Sequence, residues 1–309
     1  MMFLLALIPI LMGGGLAMQT AVNAKLRQFV GSPYLASAVS FSVGALFLIV
    51  LTLLSGVSPF VSLTTIATNP WWIWLGGLLG VIGLTVNLLL FPRLGSIQTA
   101  VLPIFGQIVM GILIDQFGWF ASPREPLTIV KVIGLVLVTL GMLVATVRFN
   151  HATAEHPVKG LWLWRLLGIG AGMLIATQAA INGHLGTILQ SSVHAAMVSF
   201  TVGAVLLLLL IAVLRVPTKP LQIALQAGGS YWWMWIGGFL GAAYVFGSAW
   251  LVPQIGTGQV VVIALFGQLL FSAIIEQFGW FEAQAQRVKL PRLVGLLLML
   301  VGVIGIHFL

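Results

Sequence analysis

The polar groups that this sequence sets deep inside its apolar runs are mostly amides. Gln19 and Asn23 stand four residues apart, so on a helix they share one face, and Gln178 and Asn182 repeat the pair. Gln107 and Gln268 each follow a glycine in the middle of an apolar run, and Asn87 corresponds to Ser248. Such groups give and take hydrogen bonds without carrying charge, which suits recognition of a small polar or amphipathic molecule where water is scarce. They suit helix-to-helix bonding equally well, at about 0.6 kcal/mol per bond in lipid on average.

Trp74 and Trp235 are candidates to turn inward and hold an aromatic or cationic ligand. Their neighbours Trp71, Trp72, Trp232 and Trp233, with Trp119 and Trp280, read as a belt at the membrane headgroups, and that reading covers Trp74 and Trp235 too. Asp115 and Glu276 precede matching Gln-Phe-Gly-Trp-Phe segments near helix ends. Intramembrane acids are candidates for gating or ion coupling, with a solvated or backbone-capping role as the alternative. Enzyme signatures are absent: no phosphate-binding loop, no His-Glu-x-x-His and no dinucleotide fingerprint, and the five His are dispersed. No catalytic residue, metal or cofactor is expected, and with no cysteine there is no disulfide or thiolate site.

Composition says what must position these groups. Of 309 residues 60% are apolar and 6% are charged, and the mean hydropathy is +1.15. So few charges cannot cover a surface facing water, whereas a surface facing lipid needs none. The net charge of +8 is scattered between apolar runs, the pattern of membrane loops, and nucleic acid is not an expected partner. The first run reads as a spanning helix, because it lacks a basic start and stays apolar past any cleavage site.

A bilayer core of about 30 Å takes roughly 20 apolar residues per helix. Ten such windows fit, at 3–23, 33–54, 71–91, 96–115, 128–148, 161–182, 192–214, 231–252, 257–276 and 290–308. The two halves repeat each other. Gln19 to Leu26 returns as Gln178 to Leu185, and Ser40 to Ala45 as Ser199 to Ala204, each displaced by 159 residues. Trp71 to Gly77 returns as Trp232 to Gly238, and Asp115 to Phe120 as Glu276 to Phe281, each displaced by 161. The expected fold is therefore an all-α integral membrane protein with a first repeat over 1–150, a linker over 151–160 and a second repeat over 161–309.

Five helices per repeat put the halves in opposite orientations, and loop charge tests this independently. Lys25, Arg27 and Arg93 lie in loops whose counterparts hold only His184 and Gln254, while Arg215 and Lys219 answer a stretch, 55–70, with no basic residue. With Arg148, Lys159, Arg165, Arg287, Lys289 and Arg292, the odd loops carry eleven basic residues against Arg124 and Lys131 in the even ones. The positive-inside rule then places the odd loops in the cytoplasm and both termini outside.

On the repeated Gln-x-x-x-Asn, Ser-Phe-x-Val-Gly-Ala, Phe-Gly-Gln and Gln-Phe-Gly-Trp-Phe elements, the chain resembles the drug/metabolite transporter superfamily. Within it the resemblance is to the YdcZ-like family, domain of unknown function 606, in its fused two-repeat form. It implies a ten-helix, EamA-like inverted-repeat transporter; the expected setting is the bacterial inner membrane, with a small-molecule substrate, a coupling ion such as H+ left open as a partner, and a monomer or homodimer in the bilayer. It implies no particular substrate. Unlike the small multidrug relatives, this chain has no acid in its first helix.

Because the chain has no cysteine, orientation is directly measurable. A cysteine at position 62 should react with an impermeant thiol reagent in intact cells and one at position 159 should not; the opposite pattern would reverse the topology.

Overall fold

The computed structural model describes residues 2–146, 160–227, 229–283 and 285–308, and the side chains of these except 2–4, 88, 91, 92 and 95–97. Arg148, Lys159 and most of the expected linker lie outside the described residues. Eleven α-helices appear among the described residues: α1 Met2–Val30, α2 Pro33–Leu54, α3 Leu63–Thr68, α4 Gly76–Phe117, α5 Ile129–Thr146, α6 Leu161–Ile188, α7 Ser192–Val213, α8 Pro220–Ala227, α9 Gly237–Ile255, α10 Thr257–Phe278 and α11 Leu290–Phe308. Nine helical stretches there are long and apolar enough to cross a membrane, and Gly76–Asn87 is a shorter apolar helix.

The starts and stops follow local chemistry. Ser32 and Ser191 cap α2 and α7 by accepting the N–H of Leu35 and His194, and Pro33 occupies the first turn, where its missing donor costs nothing. Gly118 and Gly279 end α4 and α10 in the left-handed conformation, at φ 67° and 64°. The helix expected over 3–23 runs on to Val30, since nothing stops it before Gly31 at φ 66°, and its counterpart runs to Ile188.

One expected boundary is absent. The helix is continuous from Gly76 to Phe117, so no gap separates the windows 71–91 and 96–115, although Pro92 and Pro103 within it have no N–H to donate, and Trp71–Trp74 is a 3-10 turn. Nevertheless Leu90 and Leu102 both touch Gly168 of α6, at 3.2 and 3.1 Å from where its Cβ would lie. A straight helix would hold them about 18 Å apart, so the chain bends sharply between them. In the second half the corresponding break is explicit: Gly256, at φ 85°, separates α9 from α10.

Contacts between the halves are reciprocal. Gly13 of α1 abuts the Ala264 carbonyl on α10, and Gly172 of α6 abuts the Pro103 carbonyl on α4; Gly267 abuts Ile10, and Gly106 abuts Ile169. Phe41 of α2 stacks at 4.8 Å on Phe200 of α7, its own counterpart in the repeat. On α5 and α11, a methyl added at Gly134 would lie 2.8 Å from the Gly302 carbonyl oxygen, and one at Gly141 would lie 2.5 Å from that of Gly295. Each of these glycines lets backbone meet backbone, the geometry by which helices associate in lipid.

Within each half, however, packing is unequal. Both α6 and α7 pack on α9, whereas among the described residues α1 and α2 make no comparable contact with α4. Accordingly Thr20 and Ala24 are exposed while their counterparts Ala179 and Gly183 are buried.

The α5–α11 seam predicts that Gly141→Leu and Gly302→Leu each lower stability by about 1–3 kcal/mol, the usual cost of overpacking. Gly170→Ala, whose methyl meets nothing within 4 Å, should be neutral in the same detergent melting assay.

Candidate functional site

The four repeated amides all reach across to the opposite half. Asn23 donates from Nδ2 to Ser40 Oγ at 3.3 Å, and Asn182 donates to Ser199 Oγ at 3.2 Å. The Oδ1 of Asn23 lies over Gly237 and that of Asn182 over Gly76, each in the space a Cβ would need and without a hydrogen-bond partner among the described residues. One turn away the Gln19 amide covers Gly241, and the Gln178 amide covers Gly80 with both terminal atoms 2.8 Å from the Cβ position. Weak Cα–H contacts from glycine suit these oxygens. The glycines following the Trp clusters are thus seats for amides from the other half, a pairing that no spacing rule within one helix could reveal.

Gln107 and Gln268 are half-buried, and among the described residues neither side chain makes a hydrogen bond. The contact of α4 with α10 beside them is apolar, built from Ile104, Ile108, Val261, Val262 and Leu265, with Gly111 against Gly258. Asn87 is half-buried with a buried, unpartnered Oδ1, and its counterpart Ser248 is 2% exposed. Trp74 and Trp235 pack in apolar clusters with Leu185 and with Leu26, while Trp71 and Trp232 remain 74% and 65% exposed, as belt residues do.

Asp115 and Glu276 hold equivalent positions in the repeat but have different surroundings. Asp115 is buried, and its carboxylate accepts the N–H of Thr257 and of Gly258 at 2.7 Å each and the Ser122 hydroxyl at 3.2 Å. It therefore caps the N-terminus of α10, in the other half of the chain. Glu276 is held within its own half by Arg292, whose Nη1 and Nη2 donate to its two oxygens at 2.7 and 3.3 Å, and by Ser272. The residue equivalent to Arg292 is Lys131, which bonds Glu125 at 2.8 Å instead.

Sequence reasoning missed Ser122 and Thr257, which lie in a loop and at a helix start and carry no periodic signal. It also missed Gln116 and Gln277, whose Oε1 atoms accept the N–H of Leu127 and Val288 at 2.7 and 2.6 Å and so fold back the loops after α4 and α10. Their recurrence within the Gln-Phe-Gly-Trp-Phe segments was the signal available. Phe120 and Phe281 take left-handed backbone there, at φ 55° and 57°.

The two ends differ in other ways. Lys25 of α1 bonds Glu282 at 2.6 Å and lies 4.7 Å from the Tyr231 ring centre. At the equivalent position His184 stacks on Trp72 at 5.3 Å. These links all join one half of the chain to the other, so the halves are tied by unlike chemistry at the two ends.

A family model described as "Putative inner membrane exporter, YdcZ" matches residues 4–144 and again residues 163–305. A solved structure described only as "Crystal structure of protein" is similar over 98% of this chain and 94% of its own, with a TM-score of 0.69 at 17% identity, a likeness of fold alone. No curated protein matches the chain.

The seating of Asn182 on Gly76 predicts strong coupling between the two positions. Gly76→Ala alone should cost about 2 kcal/mol or more, as overpacking does, and considerably less in an Asn182→Ala background that vacates the space. Melting temperatures of the four proteins of this cycle measure it; additive losses would show that the contact does not form.

Proposed function

We propose, because this chain belongs to the YdcZ family of drug/metabolite transporters, that it is a secondary transporter moving a small polar or amphipathic molecule out across the bacterial inner membrane by alternating access. In this reading it has ten spans in two inverted five-helix repeats, 1–150 and 161–309, joined by the linker 151–160 inside the cell, with both termini outside.

The observation that carries the reading is reciprocal contact between halves combined with unequal packing inside them. Helix positions exchanged by the repeat meet each other across the bundle, as a two-fold axis requires, and the swap of basic residues between matching loops supports an axis lying in the membrane plane. Yet α6 and α7 are closed on α9 while α1 and α2 stand off α4. Two arrangements of one packing scheme, occupied differently by the two halves, are what a rocking transporter needs. Gly183, packed on Val252, lies at the end of α6, so the end nearest the even loops is the closed one.

The substrate path is assigned to the amide-bearing helices, with Gln107 and Gln268 as its central ligands because, among the described residues, their amides bond no other group. Asn87, Ser248, Gln19, Asn23, Gln178, Asn182, Trp74 and Trp235 surround that path, and Asp115 and Glu276 belong to the gates at opposite ends. A passive channel is the competing mechanism.

Replacing Gln107 or Gln268 by Leu should slow saturable, counterflow-capable transport in proteoliposomes about tenfold for each ~1.4 kcal/mol of substrate bonding lost, with little change in melting temperature. Full transport in the double variant would remove both residues from the site, and unsaturable conductive flux would favour the channel.

A further inference from the structure

Asp115 closes on the backbone of the opposite half. It stands on the last turn of α4, 5% exposed, and its oxygens take the first two amides of α10, Thr257 on Oδ1 and Gly258 on Oδ2. Those amides have no partner within their own helix and sit at its positive end, so a carboxylate there is both bonded and complementary in charge. Ser122 donates to Oδ1 and shares a 3.0 Å bond with Thr257 Oγ1, which fixes the direction of approach. Methyls at Gly256 and Gly258 would lie 2.7 and 2.9 Å from Oδ2. The α9–α10 turn has glycine on both sides of Thr257, and the carboxylate fills the space this leaves.

That turn is also where the bundle is shut. Val252, one turn before Gly256, packs on Gly183 of α6, 2.9 Å from its Cβ position. Asp115 therefore holds the hairpin whose packing on α6 and α7 closes this end, while at the equivalent place in the first half α1 and α2 stand open.

The groups facing Asp115 leave its charge without a counter-ion. Among the described residues it makes no ion pair: Lys131 of α5 is taken by Glu125 of the preceding loop. From α10 comes Gln259, which is neutral and bonds His307 Nδ1 of α11 at 2.8 Å. Arg124 lies along the loop beside Gly118. Asp115, Glu125, Lys131 and Gln259 line one cleft of about 30 Å³, room for roughly two waters and hence a route for a proton to the carboxylate.

We infer that Asp115 is a proton-operated latch on this gate. The inference rests on the transporter reading only for the word gate. A hydronium ion in the cleft gives its proton to one carboxylate oxygen and leaves as water; one O–H bond of the hydronium breaks, one O–H bond forms on the carboxyl, and no other covalent bond changes. The neutral acid offers one acceptor fewer and gains a donor, so one α10 amide loses its partner and the charge opposite the helix end disappears. The ionised form favours closure, so the latch holds above the carboxylate's titration and releases as pH falls through it. Glu276, chelated by a permanently charged guanidinium in its own half, is not such a switch.

The test uses the cysteine-free chain without substrate. A single Val252→Cys is labelled by a thiol reagent at pH 8 and pH 5, each rate normalised to that of Phe60→Cys, a position 84% exposed. Relative labelling should rise at least tenfold at pH 5. Asp115→Asn should give the high value at both pH values, and Glu276→Gln should keep the rise. A flat profile with Asp115 present, or an unchanged rise in Asp115→Asn, overturns the latch. If Asp115→Asn fails to fold on gel filtration, Ser122→Ala decides: losing a donor to the ionised form must move the transition to higher pH, and an unmoved transition overturns the proposal. A pH-driven rise in labelling in a protein that shows no saturable, counterflow-capable transport in proteoliposomes would instead sink the transporter reading and leave the latch standing.

Discussion

Helices surrounded by lipid gain nothing by hiding apolar side chains from one another, so this bundle is joined where backbones can touch. Gly13, Gly106, Gly172 and Gly267 meet carbonyl oxygens of the other half, and Gly134, Gly141, Gly295 and Gly302 form the seam between α5 and α11. Gly76, Gly80, Gly237 and Gly241 serve differently, as flat seats for carboxamides. A side chain at any of these positions would push the halves apart. The amides gain position from this arrangement, since each is held by the opposite half as well as its own.

On this shared scaffold the ends are chemically distinct. Lys25 with Glu282 and Tyr231 ties the halves at one end, and His184 on Trp72 stands at the matching place. Asp115 bonds helix N–H groups across the halves, whereas Glu276 bonds Arg292 beside it. A symmetric transporter would have no preferred direction of response.

Most of the fold was legible because lipid imposes a coarse constraint: about 20 apolar residues per span, and repetition that survives at Gln19/Gln178, Ser40/Ser199 and Trp71/Trp232. The bend between Leu90 and Leu102 falls where the expected windows 71–91 and 96–115 part, but turn signals do not say whether helix continues through a bend. The amides were singled out by their depth, but their seats on Gly76 and Gly237 were not, because contact between distant segments leaves no trace in local spacing. The Asp115 cap was invisible for the same reason: Thr257 and Gly258 lie more than 140 residues away. The unequal packing of α9 and α4 has no sequence signal either, because the apolar and small residues that pack recur in both halves.

Alternating access requires that the two arrangements exclude each other, and two equivalent pairs report on them. Ala179 and Leu251 share a buried cluster at the closed end, and Thr20 and Leu90 are their counterparts at the open one. With cysteines at all four positions, a short bifunctional cross-linker applied to membranes should join either pair but not both in one molecule. Molecules carrying both links, or a 20–90 pair that never forms, would contradict the account.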